Sequence, residues 1–372
     1  MLTFARFGLF MVIPILLVVA CSQQAEVSPT AVPSSPIASN PTSEAVSPTP
    51  ESTEIPEPTT PTSVPNPTAD PITGAPALAR GEVLRRPYVV MLDNHPDAYP
   101  QSGMDKAAMV IEALAEFGIT RYVAIYAPGI TPDVDQIGPV RSTRLYFAQW
   151  AMGFHGIYAH AGGSEEGLAA VETTDQLINL DGLLANGVDY FVRSNTRFAP
   201  HNLFTSTDEL TRAAKDFGVT DFDDPEIGYL FKEDIPEDER PESGSFSYYF
   251  IYAEDPAGWT YDPETNGYLR LRRGVPAIDA VTGEQLWTKN VVVMEVIEAP
   301  IPGDPQSRIS QQVIGEGPAR LFMDGEEQEG VWRMEEAGSP LRFYTTDDEE
   351  IRFNAGPIWA VAIPSMDNLT VE

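Results

Sequence analysis

The sequence predicts an α/β N-terminal domain with a mostly parallel sheet, residues 81–220, followed by an all-β C-terminal domain, barrel or sandwich-like, residues 246–372. Three observations predict this. Strand-like and helix-like stretches alternate through the first part, which is the pattern of a parallel sheet with crossover helices. Short apolar runs separated by turn residues fill the second part. An acidic, proline-bearing connection, residues 221–245, lies between them.

Residues 1–21 read as an export signal. Arg6 gives a positive start, and Phe7–Ala20 is an apolar run of 14 residues. A bilayer-spanning helix needs roughly 20 such residues, so this run is too short for a permanent span. It ends in Val18-Val19-Ala20-Cys21, which resembles a bacterial lipobox. Cys21 is the expected lipidation site, and it is the single cysteine of the chain. That excludes an intramolecular disulfide and a cysteine metal cluster. The protein is therefore expected outside the cytoplasm, anchored to a bacterial membrane as a lipoprotein.

Residues 22–80 are rich in Pro, Ser and Thr and carry no periodicity. Such a segment cannot bury enough apolar surface to offset its ordering entropy. It is expected to be a disordered tether, kept extended by its prolines. Across the chain 55 acidic residues face 23 lysines and arginines, for a formal net charge of −32. That charge argues against nucleic acid or an anionic membrane surface as a general partner.

In the first folded part Tyr88–Leu92 is a β-branched run. Asp105–Phe117 is rich in Ala, Leu, Met and Glu and reads as a helix stopped by Gly118. Arg121–Ala127 reads as a strand, Ser142–Met152 as a helix, His155–Ala159 as a strand and Glu165–Thr173 as a helix. Asp189–Val192 is strand-like, and Thr207–Phe217 has a cap and a helical pattern. In the second part, runs such as Trp259–Tyr261, Gly267–Leu271, Val291–Val296, Ala319–Met323 and Ile358–Ile363 are separated by turns such as Asn266-Gly267 and Asp324-Gly325. That is strand-and-hairpin chemistry.

The four histidines, His95, His155, His160 and His201, all lie in the first part. Asp93-Asn94-His95 follows the first strand, His160-Ala161-Gly162-Gly163-Ser164 follows another, and His201-Asn202 lies just past a third. In open parallel sheets, ligands bind beyond the carboxyl ends of the strands. These loops, with Arg141, Ser142 and Arg144 entering a helix that Ser142 would cap, are expected to meet on one rim. Each feature also has a plain structural reading. Asp93-Asn94-His95-Pro96 has the chemistry of a turn, the glycines 162 and 163 that of a tight turn before a helix cap, and the arginines that of surface charge. Arg141 and Arg144 beside a helix start, with Arg193, Arg197 and the helix start at Ser164, could equally form an anion clamp. Asp93, His95, His160 and His201 offer donors suited to zinc or iron. No HxH or HExxH spacing groups them, so neither a metal nor another cofactor is expected. No GxSxG elbow supports Ser142 or Ser164 as a nucleophile.

Several ordered motifs resemble the YerB-like lipoprotein family of bacterial envelope proteins, a domain-of-unknown-function family. They are Met91-Leu92-Asp93-Asn94-His95-Pro96 with Tyr99-Pro100-Gln101-Ser102-Gly103, then Gly138-Pro139-Val140-Arg141-Ser142, His160-Ala161-Gly162-Gly163-Ser164 and Ala199-Pro200-His201-Asn202. Tyr261-Asp262-Pro263-Glu264, Asp279–Gln285, Asn290–Val293 and Gly315-Glu316-Gly317 extend the likeness to the second part. Ala277 and Ala355 depart from the family pattern, standing where a histidine and a proline are usual. The resemblance implies lipid anchoring and a two-domain plan, and no activity. The expected function is binding of an anionic or cell-wall-derived ligand, or of a partner, through the α/β rim. The alternative is an extracytoplasmic hydrolase with a histidine/carboxylate site, metal-dependent or not.

The anchor is testable. Cys21→Ala should leave an unlipidated chain that partitions into the aqueous phase on detergent extraction. A mutant that stays with the membrane would contradict lipidation at Cys21.

Overall fold

A computed structural model describes residues 69–77, 85–219 and 227–372. The export signal, Cys21 and the tether up to residue 68 lie outside the described residues. Five N-terminal strands, β1 (Tyr88–Asp93), β2 (Met109–Glu116), β3 (Ile119–Tyr126), β4 (Ile157–His160) and β5 (Ile178–Asp181), join five from the C-terminal part in a ten-stranded sheet. The order is Arg342–Thr345, Glu326–Met334, Gly315–Met323, Asn290–Glu295, Ile358–Ile363, β2, β3, β1, β4, β5.

This corrects the expected fold class. β1, β4 and β5 run parallel, as do β2, Ile358–Ile363 and Asn290–Glu295. The other neighbours are antiparallel. The sheet is therefore large, mixed and largely antiparallel, and the protein is mostly β. Among the described residues there are three short α-helices, α1 (Leu145–Met152), α2 (Glu165–Thr173) and α3 (Thr207–Asp216). The C-terminal strands do not close into a barrel or sandwich of their own. Those not in the large sheet mostly form a second sheet, ordered Val275–Pro276, Gly267–Arg272, Ala257–Asp262, Ser245–Tyr248 and Leu369–Val371, with Trp287–Thr288 beside Gly267–Arg272.

The stretch expected as a helix over Asp105–Phe117 contains β2. Its Ala, Leu, Met and Glu are good helix formers, but β2 sits between β3 and Ile358–Ile363 with residues 109–115 all buried. A strand buried on both faces reads as an unbroken apolar run, which periodicity cannot separate from a buried helix. Phe117 and Gly118 have φ of 54° and 77°, the left-handed pair of a type I′ hairpin turn. Gly118 is thus a hairpin residue and not a helix stop. Asp324-Gly325, with φ of 55° and 78°, makes the same kind of turn between Gly315–Met323 and Glu326–Met334, as its chemistry predicts. The expected strand at Asp189–Val192 is instead a 3-10 turn, Val188–Tyr190, and a two-residue strand, Val192–Arg193.

The large sheet is the middle of three layers. Val89, Met91, Ile111 and Ile125 face one way, onto Phe147 and Trp150 of α1. Val90, Leu92, Tyr122 and Trp359 face the other way, onto Phe246 and Trp259 of the second sheet and Leu210 of α3. Each such side chain, fully buried, contributes about 1.5–3 kcal/mol. Between the two sheets, Glu112 of β2 and Arg270 form an ion pair at 2.7 Å, with 1% and 3% exposure.

Residues 69–77, assigned to the tether by composition, fold against this body. Ile72 is buried in the core. Asp70 Oδ1 accepts from the Ile72 and Thr73 amides, both at 2.9 Å. Tyr229 N–H donates to the Pro71 carbonyl at 2.9 Å. The connection is packed from Ile227 onward: Tyr229 lies against Phe343 and Phe353, and Leu230–Lys232 pairs in parallel with Arg352–Asn354.

Ile72→Ala should therefore lower the unfolding free energy by roughly 2–5 kcal/mol, the usual range for a core Ile→Ala, in urea denaturation of the full chain. A change within about 0.5 kcal/mol, as for an exposed residue, would contradict docking of this segment.

Candidate functional site

Three chain segments meet at the C-terminal end of β1. The loop at 138–143 runs beside it: Asp93 N–H donates to the Pro139 carbonyl and Arg141 N–H to that of Met91, both at 2.9 Å. On the loop's other side lies the hairpin Val192–Arg193/Leu203–Phe204, where Val140 N–H donates to the Leu203 carbonyl at 2.7 Å. β1 thus delivers Asp93, Asn94 and His95, the loop delivers Arg141, and the hairpin delivers His201.

Asp93 is the hub and is 2% exposed. Its Oδ2 accepts from His201 Nδ1 at 2.6 Å and lies 3.2 Å from Arg141 Nε. Its Oδ1 accepts from the His95 amide at 3.0 Å. The His95 and His201 rings stack at 4.3 Å with 15° between their planes. The partners assign the protons. A carboxylate only accepts, so His201 carries hydrogen on Nδ1, and its neutral form leaves Nε2 as an acceptor. His95 Nδ1 accepts from the Asp97 amide at 3.1 Å, so its neutral form carries hydrogen on Nε2. The rings therefore present one donor and one acceptor. The terminal nitrogens of Arg141 have no hydrogen-bond partner among the described residues, and its side chain is 25% exposed.

Ligating atoms of His95, Asp97 and His201 lie within 4.8 Å of one another. Stacked imidazoles hold their lone pairs in two nearly parallel planes, however, so one ion cannot lie in the plane of both rings, and His95 Nδ1 already accepts from the Asp97 amide. The arrangement suits hydrogen bonding to a ligand better than coordination of a metal.

The other residues named from sequence lie elsewhere. Arg144 is buried and binds Glu116 through both carboxylate oxygens, at 2.7 and 2.8 Å, with Arg121 on the same carboxylate. Burial, with the Arg121 charge beside it, lowers the Arg144 pKa from its ordinary value, and Glu116 opposes that. Arg144, not Ser142, occupies the cap position of α1. Ser142 instead offers its carbonyl to Arg121 Nη1 at 3.0 Å. His160 is fully buried, with Nδ1 3.0 Å from the Gly162 carbonyl and Nε2 2.9 Å from Asn179 Oδ1; neither contact is with Asp93, His95, Arg141 or His201. Gly162 N–H donates to Asp181 Oδ1 at 2.9 Å, and Ser164 Oγ caps α2 through Gly167 N–H at 3.2 Å. A Cβ at Gly163 would come 2.7 Å from the Thr143 methyl, so this glycine serves close packing. Arg193 donates to Asn202 Oδ1 at 2.8 Å, and Asn202 ties down Ser194. Arg197 donates to the Ala98 and Pro100 carbonyls, and burial lowers its pKa.

Asn94 faces away from Asp93 into a second polar network that sequence reasoning missed. Asn94 Nδ2 donates to Thr120 Oγ1 at 2.7 Å, Thr120 to Glu112 Oε1 at 3.2 Å, and Arg272 Nη1 to Asn94 Oδ1 at 2.8 Å. Burial works against the Arg270 charge, but Glu112 with the Tyr248 and Tyr122 hydroxyls outweighs it and raises the pKa. A signal was present: Glu112 is the charged residue inside the apolar run Met109–Ala115.

Residues 72–220 match the family described as "Protein of unknown function (DUF3048) N-terminal domain", and residues 247–360 match the corresponding C-terminal domain. The chain is 30% identical over 305 residues to a Bacillus subtilis (strain 168) protein named "Putative lipoprotein YerB", covering 77% of this chain and 84% of that one. The crystal structure of the YerB protein from Bacillus subtilis is similar with a TM-score of 0.70 at 28% identity, covering 82% of this chain and 99% of that one. Both domain matches, in order, and a relative alike in sequence and fold show that the chain belongs to the YerB-like DUF3048 family.

Proposed function

We propose that this protein is an extracytoplasmic lipoprotein, anchored through Cys21, that binds a small oxyanion at the end of β1. The observation that carries the reading is Arg141. Buried Asp93 faces its Nε at 3.2 Å, and its terminal nitrogens have no hydrogen-bond partner among the described residues. His95 Nε2–H adds a donor beside it. His201 Nε2, an acceptor in the neutral ring, meets a hydroxyl of the ligand. A carboxylate or phosphate of a cell-wall fragment matches this donor set. Arg144, Arg193 and Arg197 have protein partners, which limits the clamp to Arg141 and the two imidazoles. The lipid anchor is supported by the lipobox-like Val18–Cys21 and by the name of the Bacillus subtilis relative.

The 2.6 Å contact between Asp93 and His201 favours a second reading, in which His201 Nε2 deprotonates a water in a hydrolytic reaction.

Binding to the folded state raises stability in proportion to the logarithm of ligand concentration once the site is saturated. Thermal melts of the full chain in phosphate should exceed those in chloride at matched ionic strength, and Arg141→Ala should abolish the difference. An equal shift in both proteins would mean a general salt effect and would refute the site.

A further inference from the structure

A cleft of about 270 Å³ opens between the β2–β3 hairpin and the second sheet. Its mouth is apolar, with Phe117, Ile251 and Tyr252 exposed by 64%, 47% and 52%. Its inner wall carries the polar chain that begins at Glu112.

Donor directions follow from the floor outward. The Glu112 carboxylate, paired with Arg270, only accepts. Thr120 Oγ1 therefore donates to it at 3.2 Å and accepts from Asn94 Nδ2 at 2.7 Å. Asn94 Oδ1 is then the acceptor for Gln101 Nε2 at 3.0 Å and for Arg272 Nη1 at 2.8 Å. Gln101 Nε2 also donates to the Asp93 carbonyl at 2.9 Å. Gln101 Oε1 is left over. It has no hydrogen-bond partner in the protein among the described residues and opens onto the cleft that its side chain lines.

Arg272 is the second group that faces the cleft. It stacks over the Tyr99 ring at 5.0 Å and bonds neutral Asn94. No carboxylate among the described residues lies within salt-bridge distance of it, although the Asp255 carboxylate, paired with Arg273, feels its charge. The other cleft arginines are paired, Arg270 with Glu112 and Arg273 with Asp255.

The geometry points to a binding site for an α-amidocarboxylate, meaning the C-terminal residue of a short peptide or a free N-acyl amino acid. The carboxylate meets Arg272, the amide N–H meets Gln101 Oε1, and an apolar side chain lies under Phe117 and Tyr252. A planar carboxylate matches the guanidinium fork. The volume is small beside the roughly 300–1,000 Å³ of typical ligand pockets, so the cleft takes one residue and not an extended chain. This site is separate from Arg141 and does not rest on the oxyanion reading.

Isothermal titration of the full chain with N-acetylphenylalanine and N-acetyl-alanyl-phenylalanine tests the assignment. Each acid should bind saturably. N-acetylphenylalaninamide, which lacks the charge, and O-acetyl-3-phenyllactate, which lacks the N–H, should each bind about tenfold more weakly or worse. Arg272→Gln, checked for folding by circular dichroism, should weaken the acids by a similar factor. In an Arg141→Ala background, where the oxyanion site cannot contribute, the acids should still bind and Arg272→Gln should still weaken them about tenfold, which separates this result from the oxyanion site. Tighter binding of the longer acid identifies a peptide end, and equal binding identifies a free acyl amino acid. If Arg272→Gln does not fold, the two altered ligands decide. Absence of saturable binding by either acid, or affinity indifferent to the carboxylate or to Arg272, would overturn the proposal.

Discussion

The buried pair of Glu112 and Arg270 is the constraint on which the architecture turns. Glu112 lies in the middle of the ten-stranded sheet and Arg270 on the second sheet, 158 residues apart in sequence and 2.7 Å apart in space. Burying two charges costs several kcal/mol for each unless geometry and further hydrogen bonds compensate. Here compensation is dense. Glu112 also accepts from Thr120, Tyr248 and Trp359, at 3.2, 3.3 and 3.3 Å. The Arg270 guanidinium lies 4.9 and 5.2 Å from the Trp259 and Trp359 ring centres, within cation–π range. A slip of either sheet by one residue would carry a charge to the wrong face and leave its partner unpaired.

Both candidate sites follow from this pairing. The chain from Glu112 through Thr120 to Asn94 holds the end of β1. That fixes Asp93 on one side and orients Gln101 and Arg272 on the other. The Asp93–His201–Arg141 cluster and the inter-sheet cleft are therefore two outlets of one polar network that starts in the core. The apolar layers supply most of the stabilisation, and the network sets which residues face which opening.

Sequence reading succeeded where chemistry is local. Asp324-Gly325 marked its hairpin, and Glu165–Thr173 and Thr207–Asp216 are helices capped by Ser164 and Ser206. Asp93, His95, Arg141 and His201 do come together, because each ends a strand or lies in a loop beside the end of β1. It failed where tertiary context decides. β2 has the composition of a helix and the burial of a central strand. Arg144 and His160 looked like ligands by position, yet they satisfy Glu116 and Asn179, partners that no local pattern announces. The joining of strands 290–295 and 358–363 to β2 depends on pairings far apart in the chain. The alternation of elements read as a parallel sheet could not show them.

The central claim is that the Glu112–Arg270 pair holds the two sheets together, and a double-mutant cycle tests it most directly. Urea denaturation would compare Glu112→Leu, Arg270→Met and the double substitution with the parent chain. Each single change should cost roughly 3–5 kcal/mol by stranding the remaining charge. The double change should cost less than the sum, by on the order of 2–3 kcal/mol. Costs that add to within about 0.5 kcal/mol, as they do for independent sites, would contradict the account.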